Sequence, residues 1–272
     1  MDMNQSEDLE AEIAQSLSEF TRIRDIAKRN NTVLKLVGGL AVYEYCTDHS
    51  FCERHHADMD LVGLSSQYED IVQTMKKAGY LEDTGMTIST GGSRLLFEKP
   101  DETSHIDVFL DRIDIEHEID LSERLEIEED TVSVSDLLLV KLTITRLNEK
   151  DLRDIIAMVK DLQMGHNDNP RTINMTYIAD LCGKSWGLHH DVTSSLRKTL
   201  QFLPTYHLPK KVRMGVTKKL EALEDMILNS PKSPRWRLRA LLGEHVAWRR
   251  EIETTGVTRA PARAEMHSSE PA

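Results

Sequence analysis

Apolar residues recur at steps of three and four along residues 8–29, through Leu9, Ile13, Leu17, Phe20, Ile23 and Ile26. That spacing predicts an amphipathic helix with one face packed on something downstream. The period then changes. Val33, Leu34, Leu36 and Val37 form a short apolar run, broken by Gly38 and Gly39, which resumes as a helical stretch to about Tyr45. "ADMDLVG" alternates as a strand does, and "SSQYEDIVQTMKKAGY" reads as a helix capped by Ser66 and stopped at Gly79. "MTISTGGSRLLFEK" sets two strand-like runs around Gly91 and Gly92, a hairpin signal, and "SHIDVFLD" alternates as a further strand. From Ser135 the period is helical again, in "SDLLLVKLTITRL" and "KDLRDIIAMVKDL". Helices broken at Pro170, Pro204, Pro209, Pro231 and Pro234 continue to about Arg250.

These patterns predict an α+β fold with a small mixed β-sheet, flanking helices and a following α-helical domain. Residues 1–30 are expected as a helix packed on the core, 31–130 as the sheet-bearing domain, 131–250 as the helical domain and 251–272 as a disordered tail. The 272 residues suffice for such a core, and no internal repeat is visible.

Composition removes some classes of function. No run approaches the roughly 18 apolar residues of a membrane span. The acidic first 20 residues lack the basic start and apolar centre of a signal peptide. Three cysteines (Cys46, Cys52 and Cys182) make no disulfide framework, so reduced thiols and a cytoplasmic location, away from membranes, are expected. The net charge of −12 is uneven: residues 197–272 carry 15 Lys and Arg against 8 Asp and Glu, whereas the preceding part carries 19 against 38. The basic third can bind phosphates locally or dock on the acidic part.

Asp58 and Asp60 stand two residues apart on an expected strand, so both side chains share a face, with Cα atoms roughly 7 Å apart. Carboxylates that close repel each other unless neutralised, and a hard divalent cation such as Mg²⁺ does so with oxygen ligands. Asp107 lies mid-strand in "HIDVFL", and a neighbouring strand brings it beside the pair. Three such carboxylates form a two-metal site that clamps the attacking and leaving oxygens of a phosphoryl displacement. An isolated D-x-D is more often a solvated strand. The conjunction with a strand–Gly-Gly–helix element and a third strand aspartate argues for chemistry.

With Gly38-Gly39, Asp58-Met59-Asp60 and Asp107 in that order, the chain resembles the DNA-polymerase-beta-like nucleotidyltransferase superfamily. It is most similar there to bacterial AbiEii/MNT-type enzymes. Arg54 matches a basic residue those proteins often carry, and "KLTITRLNEKDLRDI" resembles their later helical motif with Lys141, Arg146, Lys150, Asp151 and Asp154. The resemblance spans about residues 33 to 160. It implies transfer of a nucleoside monophosphate from an NTP to an acceptor hydroxyl, with residues 31–130 as the catalytic domain. Gly38, Gly39 and Arg54 would hold the nucleotide, Asp58, Asp60 and Asp107 would ligate Mg²⁺, and Asp107 would also take the acceptor's proton. Lys141 would neutralise phosphate charge, and Asp151 would orient Lys141 or the acceptor. The implied acceptor is RNA, such as tRNA, or a protein, reached through the basic C-terminal third, with a cognate antitoxin as a further partner. A small-molecule adenylyltransferase and an inactive binding module are the alternatives. Two departures fall beside the site: the long Gly39–Asp58 spacing, and His56 where a small hydroxyl residue is usual.

Three other features compete for attention. Cys46, His49, Cys52, His55 and His56 supply zinc-ligand types without a compact zinc spacing, and read as an ordinary polar loop. "HEIDLSERLEIEED" reads as a solvated edge strand rather than a calcium loop. "PRWRLRALLGEHVAWRR" reads either as an RNA-stacking segment or as an amphipathic helix burying Trp236 and Trp248.

Overall fold

The computed structural model of the chain describes residues 3–52, 59–100 and 105–250. The first element is the expected long helix, α1 (Met3–Arg29), whose Ile13, Phe20 and Ile23 are fully buried. It leads to β1 (Leu34–Val37), then α2 (Gly38–Tyr45) and the single turn α3 (His49–Cys52). Next come β2 (Met59–Gly63), α4 (Tyr68–Lys77), β3 (Leu81–Glu82), α5 (Thr84–Ser89), β4 (Arg94–Glu98) and β5 (His105–Leu110). A small hairpin, β6 (Arg112–Asp114) and β7 (Glu118–Asp120), closes this part.

The remainder is mostly helical: α6 (Val134–Thr143), α7 (Glu149–Asp161), the short parallel pair β8 (Gln163–Gly165) and β9 (Thr172–Asn174), α8 (Met175–Lys184), α9 (Trp186–Phe202), α10 (Lys210–Asn229) and α11 (Pro234–Ala240). The fold is therefore mixed α+β with a small mixed sheet, as the pattern required. No helix among the described residues is long and apolar enough to cross a membrane. The expected tail, 251–272, lies outside the described residues.

The main sheet runs in the order β1-β2-β5-β4-β3. β1 is antiparallel to β2, β2 parallel to β5, and β5 antiparallel to β4. Leu36, Leu61, Leu95, Ile106 and Val108 form its buried centre. The acid-rich segment after β7 returns along the free side of β1, where Leu36 donates to the Asp130 carbonyl and Val132 to that of Leu36. Its "solvated edge strand" is instead the self-paired β6–β7 hairpin, with Ile113 and Ile119 turned inward.

Two expectations need correction. The hairpin around Gly91 and Gly92 does not form, because "TGMTIS" coils into α5. Asp83 caps that helix by accepting from the Gly85 and Met86 amides, so the glycines, both at positive φ, serve a helix-to-strand turn. Reduced thiols hold only for Cys182, which is buried so deeply that its pKa is pushed up to about 12. Cys46 and Cys52, with Cα atoms 6.5 Å apart, are joined in a disulfide that closes the loop after α2. His55 and His56, the other members of that polar loop, lie outside the described residues.

Candidate active site

Residues assemble this site through strand register. Val37, the last residue of β1, pairs with Asp60, and Asp60 pairs with Asp107 across the parallel β2–β5 ladder. In-register neighbours on adjacent strands point to the same face, a few ångströms apart. The chain leaves β1 at Gly38, whose φ of +76° suits glycine and starts α2. A Cβ at that position would collide with Asp60 Oδ2. The glycine turn thus lies directly against the first described carboxylate, with a helix start beyond it. Both features suit a triphosphate approaching a cation held by aspartates.

Asp107 is 5% exposed and both its oxygens are engaged. Arg94 donates from Nε and Nη2 at 2.8 and 2.7 Å, a two-pronged ion pair. Arg94 escaped the sequence reading. It sits in register with Phe109, two residues beyond Asp107 on the same face, and its guanidinium also overlies the Phe109 ring at 5.3 Å. The alternation of Arg94, Leu96 and Glu98 against the buried Leu95 and Phe97 was the available signal. The β4–β5 register that turns it into a contact with Asp107 was not.

The other expected residues divide. Asp58 and Arg54 lie outside the described residues. Lys141, on α6, is buried and pairs at 2.6 Å with Asp154 of α7. Both helices pack against α2, the helix that begins at the glycines. Asp151 is placed otherwise: it closes a capping box with Asn148 at the start of α7, so the carboxylate that meets Lys141 is Asp154. Arg146 is exposed, as is Lys150 on α7.

The loop that follows α2 is anchored on α7. Thr47 donates its amide and hydroxyl to Asp161 at 2.9 and 2.8 Å, and Arg153 donates to the Phe51 carbonyl. Between this loop, α7 and the end of α9 lies a cavity of about 570 Å³, walled by Phe51, Leu152, Arg153, Phe202 and Tyr206.

The donor set fits a hard cation. Asp60 and Asp107 offer only oxygen, side by side, and the glycine at position 38 makes room for the Asp60 carboxylate where a Cβ would collide with it. Among the described residues no group of three His, Cys, Asp or Glu side chains gathers as a complete metal shell.

No family model matches the chain. No curated protein matches it either. Among solved structures, it is similar to the solution structure of the antibiotic-resistance factor ANT(2'')-Ia, at 13% identity and a TM-score of 0.35, over 85% of this chain and 97% of that one. A likeness of that size decides neither fold nor activity.

Proposed function

We propose that the protein is a nucleotidyltransferase that moves a nucleoside monophosphate from an NTP to an acceptor hydroxyl and releases pyrophosphate. The observation that carries this reading is the register that sets Asp60 beside Asp107 with Gly38 pressed against Asp60. Asp60 and Asp107, with Asp58 as third carboxylate, would hold Mg²⁺, which when bound neutralises triphosphate charge and polarises the reacting phosphoryl group. The start of α2 offers backbone N–H groups to the phosphates. Asp107, buried on the sheet, is the group that would accept the proton of the attacking hydroxyl. Lys141, paired with Asp154 on the two helices that pack against α2, would neutralise phosphate charge from that side.

For the acceptor, the structure favours a second reading beside RNA or protein. The C-terminal arginines are largely engaged internally: Arg249 with Asp191, Arg250 with Asp114, and Arg239 with the Gly243 carbonyl. The aromatic cavity of about 570 Å³ beside Phe51 is of the size that takes a small molecule.

The test incubates the protein with each labelled NTP, Mg²⁺, total RNA and a small-molecule extract, and follows label into RNA, protein or small products. Asp60→Ala and Asp107→Ala should each lower transfer by roughly a thousandfold, the loss of several kcal/mol of charge stabilisation. Equal labelling by wild type and both variants, or none by wild type, overturns the reading.

A further inference from the structure

Asp107 is a buried carboxylate whose counter-ion is already present. Its partner Arg94 differs in one respect: the Arg94 side chain is 40% exposed, against 7% for Asp107. One edge of the guanidinium grips the carboxylate, and the side chain also lines a cleft of about 420 Å³ beside the site. Two further arginines, Arg112 and Arg250, line that cleft. Arg112 meets Glu118 at 3.8 Å in an exposed pair, and Arg250, itself exposed, reaches the mostly buried Asp114 at 2.7 Å. An exposed pair is weak, so the Arg112 side chain can turn to a stronger anion, while Arg250 adds positive charge to the same cleft. The planar guanidinium fork matches phosphate as well as carboxylate.

We propose that Arg94 is an exchangeable counter-ion. It neutralises Asp107 while no divalent cation is bound, yields that carboxylate on metal loading, and turns to a phosphate held with Arg112 and Arg250 in the adjoining cleft. The proposal rests on the nucleotidyltransferase reading of the site. The physics is competition: a guanidinium and a divalent cation cannot both take the two Asp107 oxygens in the same way, and burial strengthens either bond. An arginine displaced from Asp107 there would be drawn to another anion within reach. Without Arg94, Asp107 would be a buried charge lacking a partner until a cation arrived, which is costly.

Mn²⁺ binding, read by electron paramagnetic resonance on the full chain, tests this without relying on turnover. Arg94→Gln removes the competitor, and should bind Mn²⁺ about tenfold more tightly than wild type, as expected for one charge-assisted pair removed. Arg94→Lys keeps the charge but loses the fork, should fall between the two, and carries the test if the glutamine variant does not fold. Phosphate affinity is measured with two probes, inorganic tripolyphosphate and a ten-nucleotide single-stranded RNA with a 5′ hydroxyl. A roughly tenfold loss in Arg94→Gln for tripolyphosphate assigns the cleft to the nucleotide's own tail, and a loss confined to the RNA assigns it to a phosphodiester chain. Equal Mn²⁺ affinity in wild type and Arg94→Gln, or no loss with either probe, overturns the proposal and leaves the reading of the site intact. If wild type binds no more Mn²⁺ than Asp60→Ala/Asp107→Ala, the reading of the site fails and the proposal with it.

Discussion

At Gly38 the backbone φ is +76°, and the space a Cβ would occupy is filled by the Asp60 carboxylate. Gly38→Ala therefore carries two penalties. The left-handed conformation costs about 1–2 kcal/mol, and the new methyl must displace Asp60. Thermal denaturation should show a drop of several degrees, and nucleotidyl transfer should fall further than the stability loss explains. Gly215→Ala is the contrasting case. Gly215 lies inside α10 with nothing within 4 Å of its missing Cβ, so alanine there should raise the melting temperature, by about 0.5–1 kcal/mol in stability. Much of this was legible in the residues. The glycine pair and the aspartates of "DMD" and "HIDVFL" announce themselves by type and spacing. Arg94 does not, because its partnership depends on which strand lies beside β5 and in what register.

Among elements, the loop Cys46–Cys52 continues the chain from α2, the helix that starts at the glycine turn. The disulfide closes the loop on itself, and the Thr47–Asp161 bonds and the Arg153–Phe51 contact tie it to α7. Closing so short a loop contributes about 2 kcal/mol by restricting the unfolded chain. Reduction with dithiothreitol, or Cys52→Ser, should lower the unfolding midpoint in urea by a matching amount, with no change in far-ultraviolet circular dichroism. Strands were readable where polar and apolar positions alternate, as in β2 and β5. The helix α5 was not, since "MTIS" is rich in β-branched residues and the deciding group, the Asp83 side chain, acts on the amides of Gly85 and Met86. The disulfide was equally hidden: two cysteines six apart say nothing of a turn that brings them face to face.

For the molecule as a whole, the uneven charge has a structural outlet. The basic C-terminal segment returns to the acidic part, with Arg250 on Asp114 and Arg249 near Glu116. Buried Asp191 sits beneath that segment. Burial would raise its pKa, but hydrogen bonds from His117, His190 and Trp248, with the charge of Arg249, hold it at about 2. Trp248 also covers Gly187, and Trp186, His190 and Trp248 close on one another. Neighbouring His189, packed edge-on against Trp236, is kept neutral: burial, then Lys232, lowers its pKa from 6.5 to about 4. The unfolded chain takes up that proton near pH 6.5 and the folded chain only near 4, so stability is intact above pH 6.5 and is lost progressively as pH falls toward 4. In His189→Phe the slope of melting temperature against pH across that window should flatten.

The parallel pairing of β2 with β5 has one more consequence. Asp60 and Asp107 are neighbours in space but far apart along the chain, separated by α4, α5 and two strands. Neither carboxylate can meet the other through any local turn. The pair comes into being only when a non-local contact of high contact order closes, late and at the entropic cost of a long loop. Whatever binds across both carboxylates is thus a ligand of the completed sheet and of no partly folded form, and it shifts the folding equilibrium of the whole sheet by mass action.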